Sequence, residues 1–276
     1  MKMNYEQYEA FKKMLKEEMH TQNMVFTERQ VLKVNQKLDG IAIKDAENES
    51  FETVFYPKAC FRDYQNGKPI SEIVKELSEK NSEKELAQEI ISKAKGNIEN
   101  QLWKECLVAQ VINTKKNEEF LSNIPHRNLL DLSVIYRIVF SNSTSVVVNN
   151  KMLEDFGMEE NQLFAIAKEN VLKKHPFFLF SLCGGLCGIK NEMYGANAIL
   201  FETELDKAAE NAGDDIYILP SSMHELLFVK AKEHEETALL AMIKEVNEVA
   251  LEEEDFLSDN LYRYDRETKE LRLIEQ

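Results

Sequence analysis

Three side chains able to carry acyl or proton transfer stand together in Leu219-Pro220-Ser221-Ser222-Met223-His224-Glu225. Ser222 could serve as nucleophile, His224 as its base and Glu225 as the group that orients the base. Loops at strand ends are where such groups are often held. The fold usually gathers the three roles from distant positions, however, and seldom from neighbours in the chain. No G-x-S-x-G elbow surrounds the serines. His224-Glu225 does not begin H-E-x-x-H, because Phe228 stands where the second histidine belongs. The structural alternative is simpler, and the residues favour it. Pro220 ends a strand, Ser221 and Ser222 satisfy backbone groups in the turn, and His224 packs locally.

A second polar cluster is Pro125-His126-Arg127-Asn128, followed by Asp131 in an otherwise apolar stretch. A carboxylate buried alone is costly, so Asp131 should have a partner, and an ion pair with Arg127 or Arg137 is expected. In the catalytic version, Asp131 and His126 line a cleft with His224. A third stretch, Leu257 to Arg266, mixes tyrosines with both charge signs. That composition suits an interface, but it equally suits a closing hairpin, which is the preferred reading. Cys183 and Cys187 bracket two glycines in C-x-x-x-C spacing. Zinc usually takes four N or S ligands, and only His175 lies near, so two small buried thiols in an apolar strand are expected and no metal.

These groups need elements to position them. Tyr5, Tyr8, Phe11, Met14 and Leu15 recur at helical steps over 4–20. Val31 to Ile43 reads as a hairpin turning at Asp39-Gly40, and 51–56 as a strand. Helices are predicted over 58–66, 69–80 and 83–101, then a strand over 107–112 and a helical turn at 117–121. Residues 129–140 read as one long strand, paired with 145–148 across a turn at 141–143. Helices follow over 149–156 and 159–174, then a β-like run over 177–189. A helix over 196–212 stops at Gly213. Strands over 215–219 and 225–229 precede a helix over 235–251, with Ala238, Leu239, Met242, Ile243 and Val246 on its buried side. Residues 262–265 and 271–274 close as a hairpin. Several strand pairs share short turns and no β-α-β-α alternation appears. The fold class is therefore α+β, a mixed and mainly antiparallel sheet with helices packed on it and no Rossmann rhythm. A weak boundary at the polar stretch 113–124 divides the chain into α+β regions 1–122 and 123–276, or leaves one continuous domain.

The composition excludes several functions. Lys plus Arg is 34 and Asp plus Glu is 49 in 276 residues, a net charge of −15. Such an acidic field repels polyanions, so nucleic acid is not expected as a partner. Only 9 glycines occur. Cys183-Gly184-Gly185-Leu186-Cys187-Gly188 matches no phosphate-cradling motif, so no cofactor is expected. The first twenty residues are too charged for a secretory signal, and the uncharged run Phe177 to Ile189 is too short to cross a bilayer. No membrane association and a cytoplasmic location are expected.

Four blocks also resemble a known family. They are Asn117 to Leu121 with Pro125-His126-Arg127-Asn128-Leu129-Leu130-Asp131-Leu132, Ala165 to Asn170, Ile218 to Glu225, and Leu257 to Arg266. In this order they resemble the bacterial proteins known as domain of unknown function 5688, over nearly the whole chain. The resemblance implies a bacterial cytoplasmic protein that is one family-length unit. It assigns no activity, so it carries over no catalytic residues. The chain departs from the family pattern at Leu182 to Asn191, where both cysteines of the C-x-x-x-C pair lie. Two functions follow from the residues. One is an interaction or regulatory protein without catalysis, binding a protein partner. The alternative is a small-molecule hydrolase with a site built from His224, Glu225, Ser222, Asp131 and His126.

Overall fold

A computed structural model describes residues 5–44, 52–80, 102–141 and 144–275. The predicted helix over 83–101 and the tip of the turn at 142–143 lie outside the described residues. The chain divides into two compact units, Met1–Lys33 with Lys37–Gly96, and Val34–Gln36 with Asn97–Gln276. The fold is α+β with mainly antiparallel sheets.

The first unit holds helices α1 (Tyr5–Thr21), α2 (Pro57–Gln65) and α3 (Ile70–Lys80). Its strands β1 (Phe26–Lys33), β2 (Gln36–Lys44) and β3 (Glu52–Phe55) form one sheet in that order. Tyr8, Phe11, Leu15 and Met19 recur every three or four residues, so one face of α1 is apolar. That face buries against Phe61, Ile73, Val74 and Leu77, with Ile41 and Ile43 of the sheet. Pro57 opens α2 at the position where its missing N–H costs nothing. The hairpin turn predicted at Asp39-Gly40 lies elsewhere: both residues sit inside β2, and the chain reverses around Asn35, whose φ is 62°. Gly40 is in the strand because of crowding. A Cβ there would come within 2.9 Å of the side chains of Val31 and Val54.

The second unit carries two sheets. Strands β4 (Leu107–Asn113), β5 (Arg127–Leu129), β6 (Leu132–Ser141) and β7 (Thr144–Val147) form the smaller one. β6 pairs with β4 on one edge, and β5 and β7 pair with successive parts of β6. The larger sheet has six strands: β8 (Phe178–Ser181), β9 (Cys187–Lys190), β10 (Ile216–Leu219), β11 (Glu225–Lys230), β12 (Leu261–Tyr264) and β13 (Leu271–Ile274). Their spatial order is β13-β12-β10-β11-β9-β8. Every pair in both sheets is antiparallel. Among the described residues the unit also has the α-helices α4 (Leu102–Glu105), α5 (Glu118–Leu121), α6 (Asn150–Asp155), α7 (Glu160–Lys174), α8 (Glu202–Ala212) and α9 (Glu236–Ala250), with a 3-10 turn over Gly195–Leu200 before α8. Gly213, at φ 73°, closes α8 in the left-handed conformation expected of a terminating glycine.

Three expectations change here. The long strand predicted over 129–140 is present as β6 but begins at Leu132, because Leu129 belongs to β5 and pairs with Leu132 while Leu130 turns the chain at φ 56°. The β-like run 177–189 is a hairpin, reversed by Gly184 and Gly185 at φ 73° and 80°. Cys183 therefore lies on an exposed turn and is not a buried strand thiol. In α9, Leu239, Leu240 and Ile243 face the sheet, while Met242 and Val246 remain 42% and 48% exposed. The helix is apolar over a wider arc than the sheet covers.

Candidate functional site

Asp131 follows Leu130 in the β5–β6 turn, which points its carboxylate toward the chain leading into β12. Ser258 Oγ donates to Asp131 Oδ2 at 2.5 Å, and Asn260 Nδ2 donates to the same oxygen at 3.0 Å. Tyr262 OH donates to Oδ1 at 2.7 Å. Three neutral donors thus replace part of the water that this half-buried carboxylate gives up. The expected ion pair is not formed. Arg127 pairs with Glu160 at 2.8 Å and lies 4.0 Å over the Phe164 ring, whereas Arg137 donates to Gln110 and Ser145. Both arginines sit on β-strands next to acceptors closer than Asp131. Burial, and after it the Asp131 charge, holds the Tyr262 phenol well above its usual range, so Tyr262 stays a donor.

The segment carrying these donors is fixed by asparagines. Asn113 Nδ2 donates to the Leu257 carbonyl at 2.9 Å, and Asn35 Nδ2 donates to the carbonyls of Phe256 at 2.7 Å and Glu254 at 3.1 Å. Asn117 exchanges bonds with Asn35, accepting from its backbone N–H and donating to its Oδ1. All three asparagines are buried. Their amides supply both donors and acceptors, which is what a segment without regular partners needs.

Ser222 and His224 lie in the connection between β10 and β11, and Glu225 opens β11. Ser222 Oγ accepts from the backbone N–H of His224 at 3.1 Å, a local turn bond. His224 Nε2 lies 3.0 Å from Asp255 Oδ1, and its Nδ1 lies 3.3 Å from the Met193 carbonyl. Both ring nitrogens face acceptors other than Ser222, so no imidazole nitrogen is turned to take the serine proton. The Glu225 side chain has no bonding partner among the described residues. His126 is exposed, with Nδ1 3.0 Å from the Ile124 carbonyl.

The five residues singled out in the sequence therefore form separate groups. Asp131 and His224 each bond to the 254–262 segment, on different residues, and no hydrogen bond joins them, His126 or Glu225. Sequence reasoning missed Asp255 and the three asparagines. No spacing marks them, since each contact spans tens or hundreds of positions. Among the described residues no group of three or more His, Cys, Asp or Glu is placed to hold a metal ion. Cys187 Sγ lies 3.8 Å from Ser181 Oγ. No described helix is long and apolar enough to cross a membrane.

Clefts open on the surface of both units. One of about 250 Å³ in the first unit is lined by charges that already neutralise one another, Lys12 with Asp39 at 2.7 Å and Lys16 with Glu28 at 3.0 Å. Two others flank α9 in the second unit. An apolar one of about 150 Å³ is lined by Leu186, Leu219, Leu227, Met242 and Val246. The other, of about 320 Å³, is lined by Glu248, Glu252, Glu253, Asp259 and Lys116. Asn247 borders both.

Residues 5–193 and 186–266 match the model of a family of unknown function (DUF5688). No curated protein and no solved structure matches the chain.

Proposed function

We propose, from the premise that the chain belongs to the DUF5688 family of unknown function, that it acts by binding another protein and runs no reaction of its own. The observation that carries this reading is the uncovered apolar stripe of α9. Met242, Val246 and Val249 are 42%, 48% and 82% exposed, one helical turn apart, beside an apolar cleft. A stripe of this kind, spaced for burial and left in water, is what a docking partner covers. The resemblance to a bacterial family supports a setting in the bacterial cytoplasm.

The hydrolase reading keeps one supporting observation, the His224–Asp255 pair at 3.0 Å. It is weaker, because Ser222 Oγ is engaged with backbone and the remaining candidates stand apart. One experiment separates the two. The tagged chain and its Val246→Glu and His224→Ala variants are cross-linked in the host, and the captured proteins are compared, with ester and amide hydrolysis assayed in parallel. A partner kept by His224→Ala and lost by Val246→Glu supports docking. Hydrolysis abolished by His224→Ala, or capture indifferent to Val246→Glu, overturns it.

A further inference from the structure

The α9 stripe adjoins a cluster of acidic side chains. Met242 and Val246 border the apolar cleft of about 150 Å³, a size that accepts a benzene-sized group. Past Asn247 the second cleft presents Glu248, Glu252, Glu253 and Asp259 against the single cation Lys116. Lys116 is itself held 4.0 Å over the Phe256 ring. Glu248, Glu252 and Glu253 have no cationic partner among the described residues. In the charged cleft of the first unit, by contrast, Asp39 is paired with Lys12 and Glu28 with Lys16. Unpaired acids beside an uncovered apolar stripe repel a second acidic surface and attract a basic one. They therefore also disfavour a second copy of this chain, which would bring the same negative charge.

Resting on the docking reading above, we infer that the paired clefts flanking α9 receive a basic amphipathic segment of another protein. It seats an aliphatic or aromatic side chain between Met242, Val246 and the sheet, and a Lys or Arg among Glu248, Glu252 and Glu253. Met242 and Glu248 are six residues apart on one helix, roughly 9 Å at the helical rise per residue. The segment's anchor and cation must span a similar distance, which two turns of helix or three residues of extended chain provide.

The test uses the full chain and two labelled 14-residue peptides. One is built from Leu at i, i+3, i+4 and i+7 with Lys elsewhere, and the other has Glu in place of every Lys. Binding is followed by fluorescence anisotropy, with circular dichroism to verify that each variant is folded. The Leu–Lys peptide should bind and the Leu–Glu peptide should not. Val246→Glu should weaken binding roughly tenfold or more. Paired Glu248→Lys and Glu252→Lys should weaken it roughly tenfold. Glu210→Lys with Glu267→Lys, away from both clefts, should leave affinity unchanged. Equal weakening by that control pair would mean diffuse attraction and overturn the inference. Leu–Glu binding that Val246→Glu abolishes would keep the docking face and remove the basic partner. Binding of neither peptide, or self-association that Val246→Glu disperses, would also overturn it.

Discussion

Tyr262 donates its hydroxyl to Asp131 Oδ1 at 2.7 Å, joining two positions 131 residues apart. The bond ties the β5–β6 turn to β12 and completes the set of three donors on one carboxylate. Removing it takes a donor from a half-buried charged acceptor, at the end that the buried Tyr262 ring shields from water. Tyr262→Phe should therefore cost about 1.5–3 kcal/mol, the range for hydrogen bonds to charged groups. Chemical denaturation of the two proteins at pH 7 measures this. A loss under about 0.5 kcal/mol would mean that water replaces the phenol, contrary to its burial.

The same phenol predicts a response to alkali. Its acidity in the folded chain is held well below normal by burial and by Asp131, so its folded pKa exceeds the unfolded value of 10.0. A group shifted in that direction contributes stability that is fully present below about pH 10 and is lost as pH rises toward the folded value. Tyr8, pushed up to about 12 by burial and then by Asp39, acts in the same sense in the first unit. Denaturation midpoints should fall from pH 9 to pH 11, and Tyr262→Phe should flatten that fall. An alkaline limb as steep in the variant as in the unchanged protein would contradict the assignment.

Much of the architecture is legible in the chain, and the exceptions share a cause. The apolar spacing in α1 places that helix, and Gly213 places the end of α8, because local propensity and tertiary packing agree there. The start of α8 is misplaced, since Gly195–Leu200 forms a 3-10 turn and the α-helix opens only at Glu202. Asp39-Gly40 misleads because its glycine answers to side chains of two neighbouring strands, Val31 and Val54, which no local pattern reveals. In α9 the periodicity of Met242 and Val246 is genuine, but the sheet covers only the arc of Leu239, Leu240 and Ile243. The sequence marks an apolar face without saying what will cover it. Asp131 was legible as a carboxylate in need of partners. Their identity was not, since neutral donors arriving from 127 to 131 positions away leave no local signature.

Leu130 sets two terms against each other. It turns the β5–β6 hairpin at φ 56°, a conformation that costs an L-residue roughly 1–2 kcal/mol, while its side chain is 43% exposed and so more than half buried. Leu130→Gly removes that cost but gives up the burial and adds an entropic loss in the unfolded chain. The terms nearly offset, so a net change within about 1 kcal/mol of zero is expected, against the roughly 2–5 kcal/mol of truncating a core leucine. Destabilisation of more than about 2 kcal/mol would show that the leucine side chain holds the turn.

Glycines of the second unit should respond to a methyl group in two distinct ways. A Cβ on Gly195 would lie 1.9 Å from the His224 carbonyl oxygen and 2.8 Å from Lys190 Cα, both backbone atoms. Neither can swing aside as a side chain does. The Met223 carbonyl also accepts from the Ala196 N–H, so displacement would strain the connection that holds His224 against Asp255. Gly195→Ala should therefore cost about 3 kcal/mol or more, at or beyond the usual range for overpacking. Gly184 has nothing within 4 Å of its added Cβ and only a left-handed φ of 73° to pay for. Gly184→Ala should cost about 1–2 kcal/mol. Thermal denaturation of the two variants side by side should rank them in that order. The reverse ranking would mean that the approach of Gly195 to His224 is loose, and that the His224–Asp255 contact is not held by the backbone beneath it.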